Sequence, residues 1–544
     1  MSSAPKVIIV GIDGATWSLI TPWVEQGLLP NFARMMQQGR WGNLQSTVPP
    51  VTAPAWSSMI TGCNPGKHGL FDFTAHAKDQ YQADYTYGGL RRCPTIWKTL
   101  SDRGYRVGVV NVPMTYPPEP VNGFMISGLD TPDETSPFIY PEDLQQQLKE
   151  KFGRGVRLDI RHLGYMKDDS KRATVLKELM AIEDERLALV THLAQQHPVD
   201  ALMFVINATD QAQHHFWHYM DAQHPQHDAA GAKEFGDAIL KVYRKVDGLL
   251  AQLLNQYGDE TLFMLVSDHG FQATSDAQIH INKALAQAGL LKFHQDVSWK
   301  AGVASHVSST LKKMLSPKMK QTLAGMLPGA RAKLETMSVM ALVDWEQTKA
   351  YSFESMVTSP NIWINLKGKR PQGIVAEQDY RQVVEEVKAC LTALTHPVTG
   401  QQLIPQVLEK QEVYHGPALD EAPDLIPVWW ASPGFTPKAS VDGGRVVRND
   451  VVEVVSESLQ GGQDWSGTHS AEGVVLLYGP QVQPGRLHQA NIVDIAPTLF
   501  AALQEAPDAE FDGKSLLGSV GEVANANSAG EVKADSEESS QVTV

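Results

Sequence analysis

Six side chains able to ligate a metal stand in four short runs of this sequence. Asp13 ends KVIIVGID, Asp210 and His214 lie in NATDQAQHH, Asp268 and His269 in VSDHGF, and His469 in GTHSAEG. Six ligands are enough for two cations. The mixture of carboxylate and imidazole suits zinc, with manganese or iron at need, whereas calcium asks for more oxygens and no imidazole. A seventh group, Thr52 in TVPPVTAPAWSSMITG, is a hydroxyl that a neighbouring cation turns into a nucleophile at neutral pH. Ligands alone bind metal, but ligands with an activated hydroxyl point to chemistry on phosphate. Thr47 and Ser57 are rival hydroxyls in the same stretch.

These groups need elements that bring them together. KVIIVGID, ALMFVINATD and TLFMLVSDH are continuous apolar runs, the pattern of strands buried on both faces. Between them, apolar residues recur with helical spacing over about 173–196 (Leu176, Leu179, Met180, Leu187, Val190, Leu193) and about 230–257 (Ile239, Val242, Tyr243, Val246, Leu249, Leu250, Leu253). Strands alternating with helices of this length predict an α/β fold, a doubly wound, mostly parallel sheet. Ligands of such sheets gather at the carboxyl ends of the strands. Asp13, Asp210 and Asp268 each follow an apolar run, so three strand ends deliver carboxylates to one rim. Any one of them alone reads as a turn or capping residue; their convergence is what argues for metal. A helix beginning near Asp210 sets His214 on the same face, whereas His215 points elsewhere and His218 and Trp217 read as wall or core.

Composition narrows the class. At 544 residues, 42% hydrophobic and 20% charged, the chain is an ordinary globular protein, long enough for a large core with a smaller unit inserted or appended. Cys63, Cys93 and Cys390 are odd in number and widely spaced, which argues for structural burial in a reducing compartment. MSSAPKVIIVGID lacks the features of a secretory signal, and no apolar run approaches the roughly 20 residues that span a bilayer. The expected compartment is the cytoplasm. A net charge of −15 disfavours nucleic acid and anionic membranes, so an anionic substrate must be drawn in by local positive charge such as bound cations. From Gly521 to Val544, five acids face the single Lys533 without an aromatic residue, and 518–544 reads as a disordered acidic tail.

With Asp13, Thr52-Ala53-Pro54, Asp210 with His214, Asp268-His269 and His469 in this order, the sequence resembles the alkaline phosphatase superfamily, within it the type I phosphodiesterase/nucleotide pyrophosphatase branch. DWEQTKAYS, INLKGKRPQGIV, EAPDLIPVWW and ANIVDIAPTLFAAL look like a prokaryotic group of predicted phosphohydrolases or phosphomutases, and the likeness extends to about Leu517. The resemblance implies an alkaline-phosphatase-like sheet. It implies one cation on Asp210, His214 and His469, another on Asp13, Asp268 and His269, and Thr52 as the group that attacks phosphorus and carries a phospho-threonine. Sulfatases of the superfamily use a cysteine or serine followed by x-Pro-x-Arg; Thr52-Ala53-Pro54-Ala55-Trp56 lacks both, which disfavours sulfate esters. Eukaryotic members of the diesterase branch carry an asparagine shortly after the HG that follows the nucleophile, and GKHGLFDFTAH has none, so the donor to the phosphoryl oxygen is unassigned. Arg91, Arg92 and Lys67 are candidates by charge, though an ion pair or solvation explains each equally well. His68 in GKHG reads as packing behind the nucleophile helix.

The expected organisation is a catalytic core of 1–270 and 345–517 with a helical cap inserted at 271–344. The cap reading rests on the basic amphipathic stretch VSSTLKKMLSPKMKQTLAGMLPGARAKLETM, for which contact with a membrane surface is the weaker alternative. Hydrolysis of phosphodiester or pyrophosphate bonds in a small phosphorylated substrate is the leading reading. A phosphomutase or phosphoryl transferase is the second, and a noncatalytic binder of phosphorylated ligands the third. Oligomeric state is open.

Overall fold

The computed structural model describes residues 4–76, 80–153, 155–157, 171–258, 260–294, 340–353, 359–431, 435–437, 451–454 and 465–517. Nine strands form the main sheet. Their order across it is Gly485–Asn491, Arg40–Gln45, Glu472–Tyr478, Leu262–Val266, Val7–Ile12, Ala201–Ile206, Val107–Val112, Gly123–Ser127 and Ile139–Tyr140. Only Glu472–Tyr478 and Ile139–Tyr140 run against the others.

The three apolar runs are the three central strands, and their uniform hydrophobicity has a simple cause. Along Val7–Ile12, the residues Ile8, Val10 and Ile12 enter one hydrophobic cluster while Val7 and Ile9 enter the cluster on the opposite face. The neighbouring strand divides likewise, Leu202, Phe204 and Ile206 to one side and Ala201, Met203 and Val205 to the other. A strand covered on both faces has no solvent side to mark with polar residues. Helices Arg172–Gln196 and Ala238–Tyr257 cover the first face, and Thr52–Thr61, Ile96–Asp102 and Ile495–Ala502 the second.

Parallel register aligns the strand ends. Ile12 pairs with Ile206 and Gly11 with Val266, so the chain leaves the sheet at one level on all three strands, at Asp13, Asn207 and Ser267.

A smaller lobe stands beside this rim. Ala350–Ser352, Ile362–Ile364, Leu425–Pro427 and Val407–Glu409 form an antiparallel sheet, with helices Ile281–Gln287 and Tyr380–Thr392 packed in the same hydrophobic cluster. Thus, of the stretch 345–517, the described residues up to Pro427 build this second lobe, and the chain rejoins the large sheet at Glu472. The inserted region contributes Ala277–Ile279 and Ile281–Gln287 to the lobe. Its basic amphipathic stretch, at 307–337, lies outside the described residues, as does the acidic tail from 518. Among the described residues no helix is long and apolar enough to cross a membrane. The three cysteines are free, with Cys63 buried.

Candidate active site at the carboxyl rim

All six ligand-type side chains and Thr52 meet at this rim. Asp13 and Asp268 come straight off strand ends. Asp210 and His214 share one face of helix Ala208–Met220, which begins two residues after its strand. His269 and His469 are brought side by side by a two-stranded antiparallel ribbon, Gly270–Ala273 with Gly467–Ser470, in which Phe271 pairs with His469. Their rings stack at 3.6 Å with 19° between planes. Thr52 is the first residue of helix Thr52–Thr61, where the unpaired N–H groups and the helix dipole favour an anion.

The polarity of the cluster is set by its outer contacts. His214 Nδ1 lies 2.8 Å from the Gly467 carbonyl, His469 Nδ1 2.9 Å from that of Pro50, and His269 Nδ1 3.1 Å from that of Gly270. A carbonyl only accepts, so each imidazole donates from Nδ1 and turns Nε2 inward. His214 Nε2 and His469 Nε2 are 3.2 Å apart, and each is 3.4 Å from Asp210 Oδ1. His269 Nε2 lies 3.2 Å from Asp268 Oδ2 and 3.7 Å from Asp13 Oδ1. Asp13 Oδ1, Asp210 Oδ1 and Asp268 Oδ2 are buried with no hydrogen-bond donor. Orphaned carboxylate oxygens and inward nitrogen lone pairs repel unless positive charge stands between them. Ligand atoms of Asp210, His214 and His469 all lie within 4.8 Å of one another, and so do those of Asp13, Asp210 and His269. The donor set therefore fits divalent cations, and Asp210 belongs to both groups.

The protonation equilibria carry the same strain. Burial, then the charges of Asp268 and Asp210, push Asp13 well above the usual carboxylate range. Burial and the charge of Asp210 push Asp268 up to about 8. Burial works to raise Asp210 as well, but His214 and His469 outweigh it and hold the carboxyl well below its ordinary value. Burial depresses both His269 and His469.

Around the ligands, Thr209 Oγ1 donates to the Asp13 carbonyl at 2.6 Å, the Gly14 N–H reaches Asp268 Oδ1 at 3.4 Å, and Ser267 Oγ donates to the His269 carbonyl at 2.6 Å. Thr52 Oγ1 lies 3.4 Å from His269 Nε2. Two aromatic residues not anticipated from the sequence complete the wall. Trp56 donates from Nε1 to Asp13 Oδ2 at 3.1 Å, and Trp465 stacks on His214 at 4.1 Å. Trp56 carried a signal, since it falls four residues after Thr52 on the same helical face; Trp465 carried none.

The cations proposed by charge sit elsewhere. Lys67 Nζ pairs with Asp512 Oδ1 at 2.5 Å, Arg92 pairs with Glu421, and Arg91 donates to the Met114 carbonyl at 2.8 Å and lies 3.5 Å from Glu119. None of the three bonds to Thr52 or to the six ligands. His215, His218 and Trp217 are buried, and His68 is buried behind the Thr52 helix, 2.9 Å from Ser58 Oγ.

Over residues 7–446 the sequence matches the family model of type I phosphodiesterase / nucleotide pyrophosphatase. The chain belongs to that family. As a member of the type I phosphodiesterase / nucleotide pyrophosphatase family it is a phosphoesterase. No curated protein matches it. Among solved structures, phosphonoacetate hydrolase from Sinorhizobium meliloti 1021 in complex with phosphonoformate superposes with a TM-score of 0.53 at 14% identity, covering 92% of this chain and 96% of that one. Human ectonucleotide pyrophosphatase / phosphodiesterase 5 does so with a TM-score of 0.51 at 14% identity, covering 94% and 97%. At this identity the likeness is one of fold.

Proposed function

We propose that this phosphoesterase hydrolyses phosphodiester or pyrophosphate bonds of a small phosphorylated substrate through a phospho-Thr52 intermediate. Two divalent cations, zinc foremost, would be held by Asp210, His214 and His469 and by Asp13, Asp268 and His269. When bound they supply the positive charge that eases ionisation of a hydroxyl and neutralises phosphoryl oxygens. The observation that carries this reading is the convergence of orphaned carboxylate oxygens and inward Nε2 lone pairs on a space that Thr52 Oγ1 also faces.

The chain's own residues then divide the work. Thr52 Oγ gives up its proton and attacks phosphorus, and the bond from phosphorus to the leaving oxygen breaks as that oxygen takes up a proton. Water attacks the phospho-threonine from the vacated side. The phosphorus–Oγ bond breaks and Thr52 recovers its proton. The start of helix Thr52–Thr61 holds the phosphoryl group through its free N–H groups, while Trp56 and Thr209 fix the Asp13 carboxylate and backbone.

Release of nitrophenol from bis(4-nitrophenyl) phosphate, with metal measured in the same sample, tests the proposal. Wild type is expected to turn over with close to two equivalents of metal, to yield phosphothreonine at residue 52 after acid quench, and to lose activity as Thr52→Ala. Undiminished turnover by Thr52→Ala, or by a chelated sample, would refute it. Transfer of the phosphoryl group to an added alcohol or sugar without release of phosphate would make the protein a transferase instead.

A further inference from the structure

No lysine or arginine described above bonds at the site, and GKHGLFDFTAH after the nucleophile helix holds no asparagine. We propose that Asn207 supplies the missing donor to the phosphoryl oxygen and that Asn111 is the positioning residue that aims it. This rests on the phosphoesterase mechanism proposed above.

Asn207 occupies the N-cap of helix Ala208–Met220, three residues before Asp210. An asparagine there ordinarily turns its side chain onto the first N–H groups of its own helix. This one makes no such bond. That task falls to Glu183, whose Oε1 accepts from the Ala208 N–H at 3.2 Å. The Asn207 side chain is engaged on one end only. Asn111 Nδ2 lies 2.9 Å from the Val205 carbonyl and 3.0 Å from Asn207 Oδ1. The Val205 carbonyl can only accept, which fixes the Asn111 amide nitrogen. The atom of Asn207 facing that nitrogen is then its oxygen. Asn207 Nδ2 therefore points the other way. It has no partner among the described residues, and it is not among the buried atoms left without one, so it keeps access to the outside. The residue is 9% exposed.

Asn111 is built for this contact. It is buried, and its φ of 59° lies in the left-handed region that side-chain-bearing residues seldom adopt, at the end of strand Val107–Val112. Strain of this kind persists where surrounding structure enforces it, and it clusters at functional sites. The position along the rim is also right. Asn111 lies on the strand next to Ala201–Ile206, and Asn207 stands level with Asp13, because Ile12 pairs with Ile206. Met114, three residues past Asn111, packs in one cluster with Ala53, the neighbour of Thr52. An amide N–H held from behind by Asn111, one strand over from Asp13 and at its level on the rim, is a preorganised neutral donor, the form in which one hydrogen bond to developing negative charge is worth most.

The test compares Asn207→Ala, Asn207→Asp and Asn111→Gly with wild type in turnover of bis(4-nitrophenyl) phosphate, competitive inhibition by orthovanadate, metal content and thermal midpoint. Asn207→Asp keeps the acceptor for Asn111 and removes the donor; Asn111→Gly keeps the backbone angle without strain. The expected result is a fall in kcat of about 10²–10³-fold for both Asn207 variants, weaker vanadate inhibition, and an unchanged KM, metal content and thermal midpoint. Asn111→Gly should lower kcat by about tenfold and move in the same direction with vanadate, a change that a purely structural role would not produce. If Asn207→Ala and Asn207→Asp keep kcat within about threefold of wild type while Thr52→Ala is inactive, the inference is overturned and the mechanism stands. If wild type itself turns over nothing, the mechanism fails first.

Discussion

The two halves of the ligand cluster solve the problem of burial differently. Asp13, Asp268 and His269 have side chains 5%, 0% and 0% exposed and place two carboxylates on one imidazole. Asp210, His214 and His469 are 19%, 7% and 12% exposed and place one carboxylate between two imidazoles. The inner half carries more negative charge in the drier place, and its carboxyls are pushed up; the outer half shelters its single carboxylate with imidazoles, and Asp210 is held down. The same residue types in the same rim thus differ in how far their charge is balanced: the inner half leaves buried carboxyl charge uncompensated, whereas the outer half balances its single carboxylate with two imidazoles.

Asp210 joins the halves, since it stands in both ligand groups. The largest expected effect follows from that position. Asp210→Asn should lower metal content at both sites and reduce kcat on the order of 10³-fold, the loss of several kcal/mol of charge stabilisation. His469→Ala should lose the outer equivalent alone. Elemental analysis of the two variants separates these outcomes; a full equivalent retained by Asp210→Asn would show that the halves do not share it.

The contrast sharpens in chelated protein at pH 7. Asp268 has a folded-state pKa raised from 3.8 to about 8, so its contribution to stability is fully present below about pH 4 and is lost as pH rises toward 8. Asp268→Asn removes a group that opposes folding at pH 7, and the amide nitrogen introduced there meets His269 Nε2, now 3.2 Å from Asp268 Oδ2. This variant should raise the thermal midpoint of metal-free protein by several degrees. Asp210→Asn should lower it, because Asp210 is the carboxyl that its imidazoles stabilise. With metal restored both variants should melt below wild type. A drop for both in the chelated state would dissolve the distinction between the halves.

Within the inner half, Asp13 differs from Asp268 in having a neutral indole donor. Trp56 is fully buried, and its Nε1 gives Asp13 Oδ2 a 3.1 Å bond. Trp56→Phe keeps most of the packing and leaves a buried carboxyl oxygen without its donor, at a cost of about 2 kcal/mol in urea unfolding of metal-free protein. Bound cations should mask part of the loss. An equal loss with and without metal would mean that Trp56 acts through packing alone.

Much of this was legible in the sequence because it depends on types and order. The central strands announced themselves as unbroken apolar runs, since each is covered on both faces, and the aspartates at their ends followed from parallel register. Helices 172–196 and 238–257 showed in their apolar spacing because each has one wet face. The smaller lobe was not legible. Its strands are three residues long, too short for a periodic signal, and its two hairpin-like pairs are joined only by the distant contact of Ile362 with Leu425. An ion pair is one of the open readings for Lys67, Arg91 and Arg92, but the partners of Lys67 and Arg92 could not be named because Asp512 and Glu421 lie hundreds of residues away. Asn207 and Asn111 carry no signal in the sequence for a related reason. Alone each reads as a cap or a turn, and only the 3.0 Å contact between adjacent strand ends gives them a joint meaning.

His68 provides a control on the rest, because it is a buried imidazole close to the nucleophile helix whose hydrogen-bond partners are neutral. Its Nε2 lies 2.9 Å from Ser58 Oγ, and its Nδ1 accepts from the Leu70 N–H at 3.2 Å, so both nitrogens are used in the uncharged form. Burial, and then the nearby charge of Arg91, depress its pKa from 6.5 to about 3. A depressed histidine favours folding above the unfolded value near 6.5, and that contribution is lost as pH falls from there toward 3. Between pH 7.5 and pH 5 the loss comes to about 2 kcal/mol, at roughly 1.4 kcal/mol per pH unit below the unfolded pKa. His68→Gln cannot titrate, so its stability should fall less over this interval, by that difference, while at pH 7.5 the two proteins differ only through packing. Urea unfolding of chelated samples at the two pH values gives the comparison directly. The ligand histidines add to the acid slope in both proteins and cancel in the difference, so parallel pH profiles would show that His68 is not held neutral by the fold.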